Sequence, residues 1–329
     1  MNRLHAEHGG PDGGPPIAHD FSTNASPLGP PPALLSAVQQ ADRRAYPDPH
    51  YTALRQRLGR AHGVPADRVL PTAGGAEGIR RLTGAAQRAG RVEVWVPQPG
   101  FGDYADAARA LGLAVRPYAE AAEIRPAAPA LVWICEPCNP TGDSVQAWPA
   151  LAGHLVAVDR AYEPLRLQGD APALPAGAWQ LICPNKALGL TGVRAGYLIA
   201  PGDGAVAEHA WALAPSWVLS AEGVALLMHW PDDATTAWLA EARSQLRDWT
   251  AHQRALLAGL GWMQRPSGTH FWLARPPRPD TAARLRERGI RVRDAESFGL
   301  PGWVRVSAQP PAAQQALQQA LLEIESEDA

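Results

Sequence analysis

The thirty residues ALVWICEPCNPTGDSVQAWPALAGHLVAVD, positions 130–159, set the reading of the chain. Two runs inside them, Ala130–Cys135 (ALVWIC) and Leu155–Asp159 (LVAVD), are almost continuously apolar and of strand length. That is the pattern of strands covered on both faces. The first leads into the turn Asn139-Pro140-Thr141-Gly142, and the second ends on a carboxylate, Asp159. Outward from this core, Val92–Val96 (VEVWV), Gln180–Cys183 and Arg194–Ala200 (RAGYLIA) read as further buried strands. Amphipathic stretches lie between them, such as Phe101–Leu111 with Tyr104, Ala108 and Leu111 on one face. The alternation predicts an α/β domain with a mainly parallel sheet, whose ligands sit at the carboxyl ends of the strands.

The flanks differ in texture. Residues 1–20 are rich in Gly, Pro and His and read as an arm without regular structure. Pro30-Pro31-Pro32 then opens a helix, since proline is tolerated in a first turn, and Tyr51–His62 reads as a second. Beyond about residue 205, helical periodicity from Ala234 to Leu260 precedes short runs at Thr269–Ala274, Thr281–Arg288, Ile290–Arg293 and Trp303–Ser307. A last helix starts at Pro311, and the closing EIESEDA reads as a solvated tail. The expected organisation is an arm over 1–30, a large domain over 31–205 and a smaller α+β domain over 206–329.

A chain of 329 residues with 46% apolar and 19% charged side chains can bury a large core. Thirty basic against 32 acidic groups give a net charge of −2, which offers no electrostatic case for nucleic acid or an anionic membrane. No apolar run approaches the roughly 20 residues of a bilayer span, and the opening residues lack the apolar stretch of a signal peptide. Three cysteines cannot staple a chain this long, so a reducing cytoplasm is expected. Cys135-Glu136-Pro137-Cys138 has no second cysteine pair, so no metal set is expected, and GxxxxGK and strand-linked GxGxxG motifs are absent.

The basic residues carry the sharpest signal. Of the 30, 29 are arginine and only Lys186 is lysine. A coding bias toward arginine replaces every lysine that is merely a surface charge and spares a position where arginine fails. Arginine stays protonated, whereas an amine can lose its proton where its surroundings lower the pKa. A neutral amine is what attack on a carbonyl requires. Accident also preserves single residues, so the neighbours of Lys186 decide. Asn139, Asp159, Tyr162, Lys186 and Arg194 follow one another at or just beyond strand ends of one sheet.

In that order and setting the chain resembles the aspartate-aminotransferase-like, fold-type-I enzymes that use pyridoxal 5′-phosphate. The likeness runs from Asp20-Phe21-Ser22-Thr23-Asn24 to Val304-Arg305-Val306-Ser307. It implies a large domain with a mainly parallel seven-stranded sheet and a smaller C-terminal α+β domain. Lys186 would hold the cofactor covalently and then move the substrate proton, and Asp159 would keep the pyridine nitrogen protonated. Asn139 and Tyr162 would bond the phenolic oxygen, and Phe101 would stack on the ring, though it also reads as a core residue of its helix. Gly74, Gly75 and Ala76, between a strand and a helix start, would cradle the phosphate, with Arg194 as fixed positive charge. Relatives carry a Ser or Thr hydroxyl immediately before the lysine or nearby; here Asn185 takes the preceding place. Tyr46 matches a tyrosine that reaches the phosphate from a neighbouring subunit, implying a homodimer; packing beneath the arm is the other reading.

For substrate, the resemblance assigns Arg305 to the α-carboxylate, Asn24 to a contact beside it and His8 to a second anion site. Two branches look nearest, histidinol-phosphate aminotransferase and L-threonine-O-3-phosphate decarboxylase of cobalamin biosynthesis. Both imply a small phosphorylated amino-acid substrate. The arm His8-Gly9-Gly10, the run Asp20–Gly29 and Tyr46-Pro47-Asp48 look more like the decarboxylase, a lyase. A regulatory module built on the same fold is the non-catalytic alternative, against which the retained Lys186 and Asp159 speak.

Overall fold

The computed structural model describes residues 8–149 and 151–327. From the arm the chain enters strand β1 (His19–Asp20), then helices α1 (Pro32–Gln39) and α2 (Thr52–His62). Pro31 precedes α1 and Pro32 occupies its first position, where a missing N–H costs nothing. Gly63, at φ 64°, stops α2 in a left-handed conformation that a Cβ would resist.

A seven-stranded sheet follows. Its strands are β2 (Val69–Thr72), β3 (Glu93–Pro97), β4 (Ala114–Tyr118), β5 (Ala130–Cys135), β6 (Leu155–Asp159), β7 (Trp179–Ile182) and β8 (Gly196–Ile199). They lie in the order β2-β8-β7-β6-β5-β3-β4, and only β8 runs antiparallel to its neighbours. The register sets Cys135 beside Asp159 and Asp159 beside Leu181, so the loops after β5, β6 and β7 leave at one end. Helices α3 (Gly75–Arg88) and α4 (Asp103–Ala110) cover one face, where Ile79, Leu82 and Tyr104 pack on Val94, Leu131 and Trp133. Leu34, Leu54, Leu58 and Tyr197 form a further core with Leu226 and Leu227 of α6 (Ala221–His229), while α5 (Ala205–Ala212) packs with α3 in the first core.

The long α7 (Asp233–Gly259) leads to an antiparallel sheet, β12-β13-β10-β9. It is built from β9 (Met263–Gln264), β10 (Phe271–Arg275), β12 (Arg293–Asp294) and β13 (Val304–Ser307). Helix α8 (Thr281–Glu287) and β11 (Ile290–Arg291) intervene, and α9 (Pro311–Ser326) closes the fold. Strand β1 pairs in parallel with β11, and Phe21 is fully buried among Trp272, Ile290 and Val306. The N-terminal segment therefore completes the C-terminal unit. The two units also meet at backbone level: Leu167 N donates to Gly268 O at 2.7 Å and Gly268 N to Gly142 O at 2.9 Å.

Three local expectations are corrected. The EIESEDA run continues α9 through Ser326 with Ile324 buried, because the apolar stripe of that helix extends to its end. Ala114–Tyr118 is an edge strand that its exposed, Pro- and Arg-containing sequence conceals, and α5 and α6 also went unread. Among the described residues no helix is long and apolar enough to cross a membrane.

Candidate active site

A cavity of about 390 Å³ opens at the carboxyl ends of β5, β6 and β7 and is shared by both units. Lys186 lies in the turn after β7, whose backbone is tied by Leu188 N to Pro184 O at 3.0 Å, and Ser26 N donates to Lys186 O at 2.8 Å. Its Nζ stands 4.4 Å from the Tyr162 ring centroid and 5.7 Å from that of Phe101. Asp159, the last residue of β6, is buried; its Oδ2 accepts from the Tyr104 hydroxyl at 2.6 Å and its Oδ1 from Ala161 N at 2.9 Å. Asn139, Tyr162, Asn24 and Arg305 form one network. Asn139 Oδ1 accepts from Arg305 Nη1 at 2.5 Å and from Asn24 Nδ2 at 3.2 Å, and Asn24 Nδ2 is 3.4 Å from the Tyr162 hydroxyl.

At the other end of the cavity, α3 starts at Gly75, so its free N–H groups face inward from Gly75 and Ala76. Gly74 has φ +85°, and a Cβ there would lie 2.7 Å from Arg194 Nη2. Arg194 reaches in from an exposed position and donates from Nη1 to Thr191 O at 3.1 Å. Asn185 and Cys183 complete this end. Phe101 stands edge-on to Tyr104, ring centroids 5.8 Å apart, and 5.7 Å from the ring of His8. His8, Gly9 and Gly10 form a wall of the cavity, and His8 Nε2 lies 3.8 Å from Asp103 Oδ1. Arg291, donating to the carbonyls of Gly10 and His8, pins this arm.

Burial shapes the charges. It pushes the Asp159 carboxyl up, while the Tyr104 hydroxyl and the Lys186 amine draw it back toward the charged form. It pulls Arg305 down to about 10, which still leaves the guanidinium charged at neutral pH. Lys186 corrects the sequence expectation of a lowered pKa. Burial works against its charge, yet Tyr162, Cys183 and Asp159 outweigh burial and hold the amine above its ordinary value. The surroundings therefore favour an ammonium, and a neutral amine has to be made by passing the proton on.

Of the residues picked from sequence, Asn24, Gly75, Ala76, Phe101, Asn139, Asp159, Tyr162, Asn185, Lys186, Arg194, Arg305 and His8 line this cavity, and Gly74 lies against Arg194 beside it. Tyr46 does not. It is 77% exposed and stacks on Trp217 with ring centroids 4.3 Å apart. Sequence reading missed Tyr104, Asp103, Cys183 and Arg293 as cavity residues or their partners. Tyr104 sits one helical turn from Phe101, a spacing that could have flagged it. Arg293, 1% exposed, donates to Ser297 Oγ at 2.7 Å and lies 5.0 Å from the Phe298 ring centroid. One arginine among 29 carries no sequence signal, and only its burial in the cavity wall marks it.

These residues fit a ring that bears a cationic nitrogen and a phosphate arm. Asn24 Oδ1 and Arg305 Nε are buried without a partner among the described residues, as groups awaiting a polar ligand would be. The side-chain-free Gly74 and the start of α3 leave room for an anion, and Asp159 supplies a buried carboxylate for a cation.

Comparison with known proteins agrees. The family described as "Aminotransferase class I and II" matches residues 17–324. The histidinol-phosphate aminotransferase of Halorubrum lacusprofundi is 31% identical, over 87% of this chain and 83% of that protein. That of Thermobifida fusca is 29% identical, over 92% and 89%. Among solved structures, L-threonine-O-3-phosphate decarboxylase from Porphyromonas gingivalis superposes with a TM-score of 0.78 at 22% identity, covering 93% of this chain and 99% of that one. Histidinol-phosphate aminotransferase from Sinorhizobium meliloti, in complex with pyridoxal-5′-phosphate, gives 0.77 at 24% identity, covering 95% and 92%. With the profile spanning nearly the whole chain and the cavity built as it is, this protein belongs to the class I and II aminotransferase family of fold-type-I, pyridoxal-phosphate-dependent enzymes.

Proposed function

We propose that the chain acts on a small phosphorylated amino acid, and that its reaction is decarboxylation of L-threonine O-3-phosphate in cobalamin biosynthesis. The observation that carries the substrate class is the buried Arg305 guanidinium in the same cavity as Lys186, with the arm residue His8 in its wall. A buried guanidinium suits a carboxylate, and a second basic side chain suits a further anionic group on the same small substrate. The choice of decarboxylation rests on the likeness of the arm and of the Asp20–Gly29 run, and the arm residues His8–Gly10 wall the cavity.

When bound, pyridoxal 5′-phosphate supplies an electron sink for charge that develops at the substrate Cα. Lys186 carries it and afterwards holds or returns the proton at Cα. Asp159 keeps the ring nitrogen cationic, Asn139 and Tyr162 donate or accept at the phenolic oxygen, and Phe101 fixes the ring plane. Gly74, Gly75, Ala76, Asn185 and Arg194 hold the phosphate. Arg305, steered by Asn139 and Ser22 O, grips the α-carboxylate; Asn24 lies beside it, and Arg293 and His8 take the second anion. Arg305 would hold the α-carboxylate, so the angle at which it presents that group would select between decarboxylation and amino transfer. In this reading residues 31–205 bind the cofactor and residues 206–329 with the arm close over it. Tyr46, exposed on the surface, reaches the phosphate of a second subunit in a homodimer.

The curated relatives favour a second reading, amino transfer of the histidinol-phosphate type. Incubation with threonine phosphate tests the first: carbon dioxide release without any oxo-acid acceptor is expected. Amino transfer from histidinol phosphate to 2-oxoglutarate, with no gas released, would replace it with the second. Visible absorbance that borohydride bleaches and Lys186→Ala abolishes is expected under both, and its absence would favour the regulatory module.

A further inference from the structure

Cys183 follows β7 and shares the inner wall of the cavity with Asn185; the two are 5% and 2% exposed. Its Sγ donates to Asn185 Oδ1 at 3.2 Å. The other acceptor in reach, Ala195 O, is farther at 3.5 Å. The same sulfur lies beside the residue that starts α3: a Cβ built on Gly75 would stand 3.9 Å from it. A side-chain amide has two unlike ends of nearly equal size, and its neighbours decide which end faces where. With Oδ1 turned to the thiol, Nδ2 and its two protons are left for the cavity. With the amide reversed, the cavity would meet a carbonyl oxygen that repels an anion.

We propose that Cys183 is a positioning residue that holds the Asn185 amide with its N–H groups toward the phosphate cup formed by the start of α3 and Arg194. The proposal rests on the reading of that end of the cavity as the phosphate cup. It gives the thiol a job that needs a donor of its size, and it makes Asn185 a pure donor there. Serine at 183 keeps a donor, and alanine does not.

Two probes are titrated against the cofactor-free protein: pyridoxal 5′-phosphate, read by absorbance, and inorganic phosphate, read by calorimetry. A hydrogen bond to a charged group contributes roughly 1.5–3 kcal/mol, so Asn185→Ala should weaken both probes about tenfold or more. Cys183→Ala should weaken both about fivefold, and Cys183→Ser should stay within about twofold of the parent. In the Asn185→Ala background Cys183→Ala should cost nothing further, because the group it orients is gone. An equal loss in both backgrounds, no loss in the parent, or no rescue by serine would overturn the proposal. Melting temperatures of the cofactor-free variants separate a packing defect, which would lower stability in both backgrounds alike. Should the parent bind phosphate with this pattern yet take up no cofactor, the functional reading fails and the positioning role stands.

Discussion

At the scale of single residues, Lys186 and its neighbours illustrate how a charge is managed before chemistry begins. The amine is held above its ordinary pKa by Tyr162, Cys183 and Asp159 against the pull of burial, so it rests as an ammonium until its proton is passed on. Lys186→Arg should leave the fold and melting temperature near those of the parent and abolish borohydride-fixable absorbance, because guanidinium cannot become a neutral nucleophile. Retained absorbance would refute the assignment. Behind Asp159 stands Tyr104, stacked on Trp133 with ring centroids 5.1 Å apart. Its hydroxyl favours the ionised carboxylate, so Tyr104→Phe raises the Asp159 pKa further. The acid limb of the activity profile should then move to higher pH, with kcat lower by about tenfold and stability lower by about 1.5–3 kcal/mol. A pH–rate profile that superposes on the parent's would sink the idea.

At the scale of elements, the site depends on where helices start and strands stop. Helix α3 begins at Gly75 only because Gly74 takes φ +85°, ψ −178°, a geometry L-residues avoid. Gly74→Ala adds a Cβ 2.7 Å from Arg194 Nη2 in that strained backbone. Stability should fall by about 1–2 kcal/mol, and affinity for the cofactor should fall with it as Arg194 is displaced. Thermal melts and absorbance titration read both, and an unchanged affinity would mean that Arg194 does not serve the phosphate. Strands β5 and β6 were legible because each is a short, continuous apolar run with β-branched residues, a pattern fixed by burial on both faces. Strand β4 was not, because an edge strand has less to bury and its residues 114–117 are exposed or half-buried.

Across the whole molecule, one buried and one half-buried imidazole, His270 and His62, set a stability limit on the acid side. Burial lowers His62 and His270 to about 4 from the usual 6.5, aided at His62 by Arg160 and at His270 by Arg305. Both therefore favour folding in their neutral form. The unfolded chain takes up these protons below pH 6.5 and the folded chain only near pH 4. Stability is thus full above 6.5 and falls between 6.5 and 4, by up to about 1.4 kcal/mol per pH unit for each group. His62→Gln, which can keep the bond to the Tyr197 hydroxyl made at 2.8 Å, should make melting temperature less steep in pH over that window. Equal slopes in parent and variant would refute the assignment.

From the amino-acid order alone came the α/β alternation, the strand ends that carry chemistry and the lone lysine, since periodicity and residue type are local properties that folding obeys. Part of the cavity wall could not be read that way. Arg293 and the arm meet Phe101 and Lys186 only because β1 crosses to pair with β11, a contact between positions some 270 residues apart. Which of 29 arginines loses its water is decided by packing, and no local pattern encodes it. The same holds for Cys183 and Asn185, whose amide orientation depends on a thiol proton donated across the inner cavity wall.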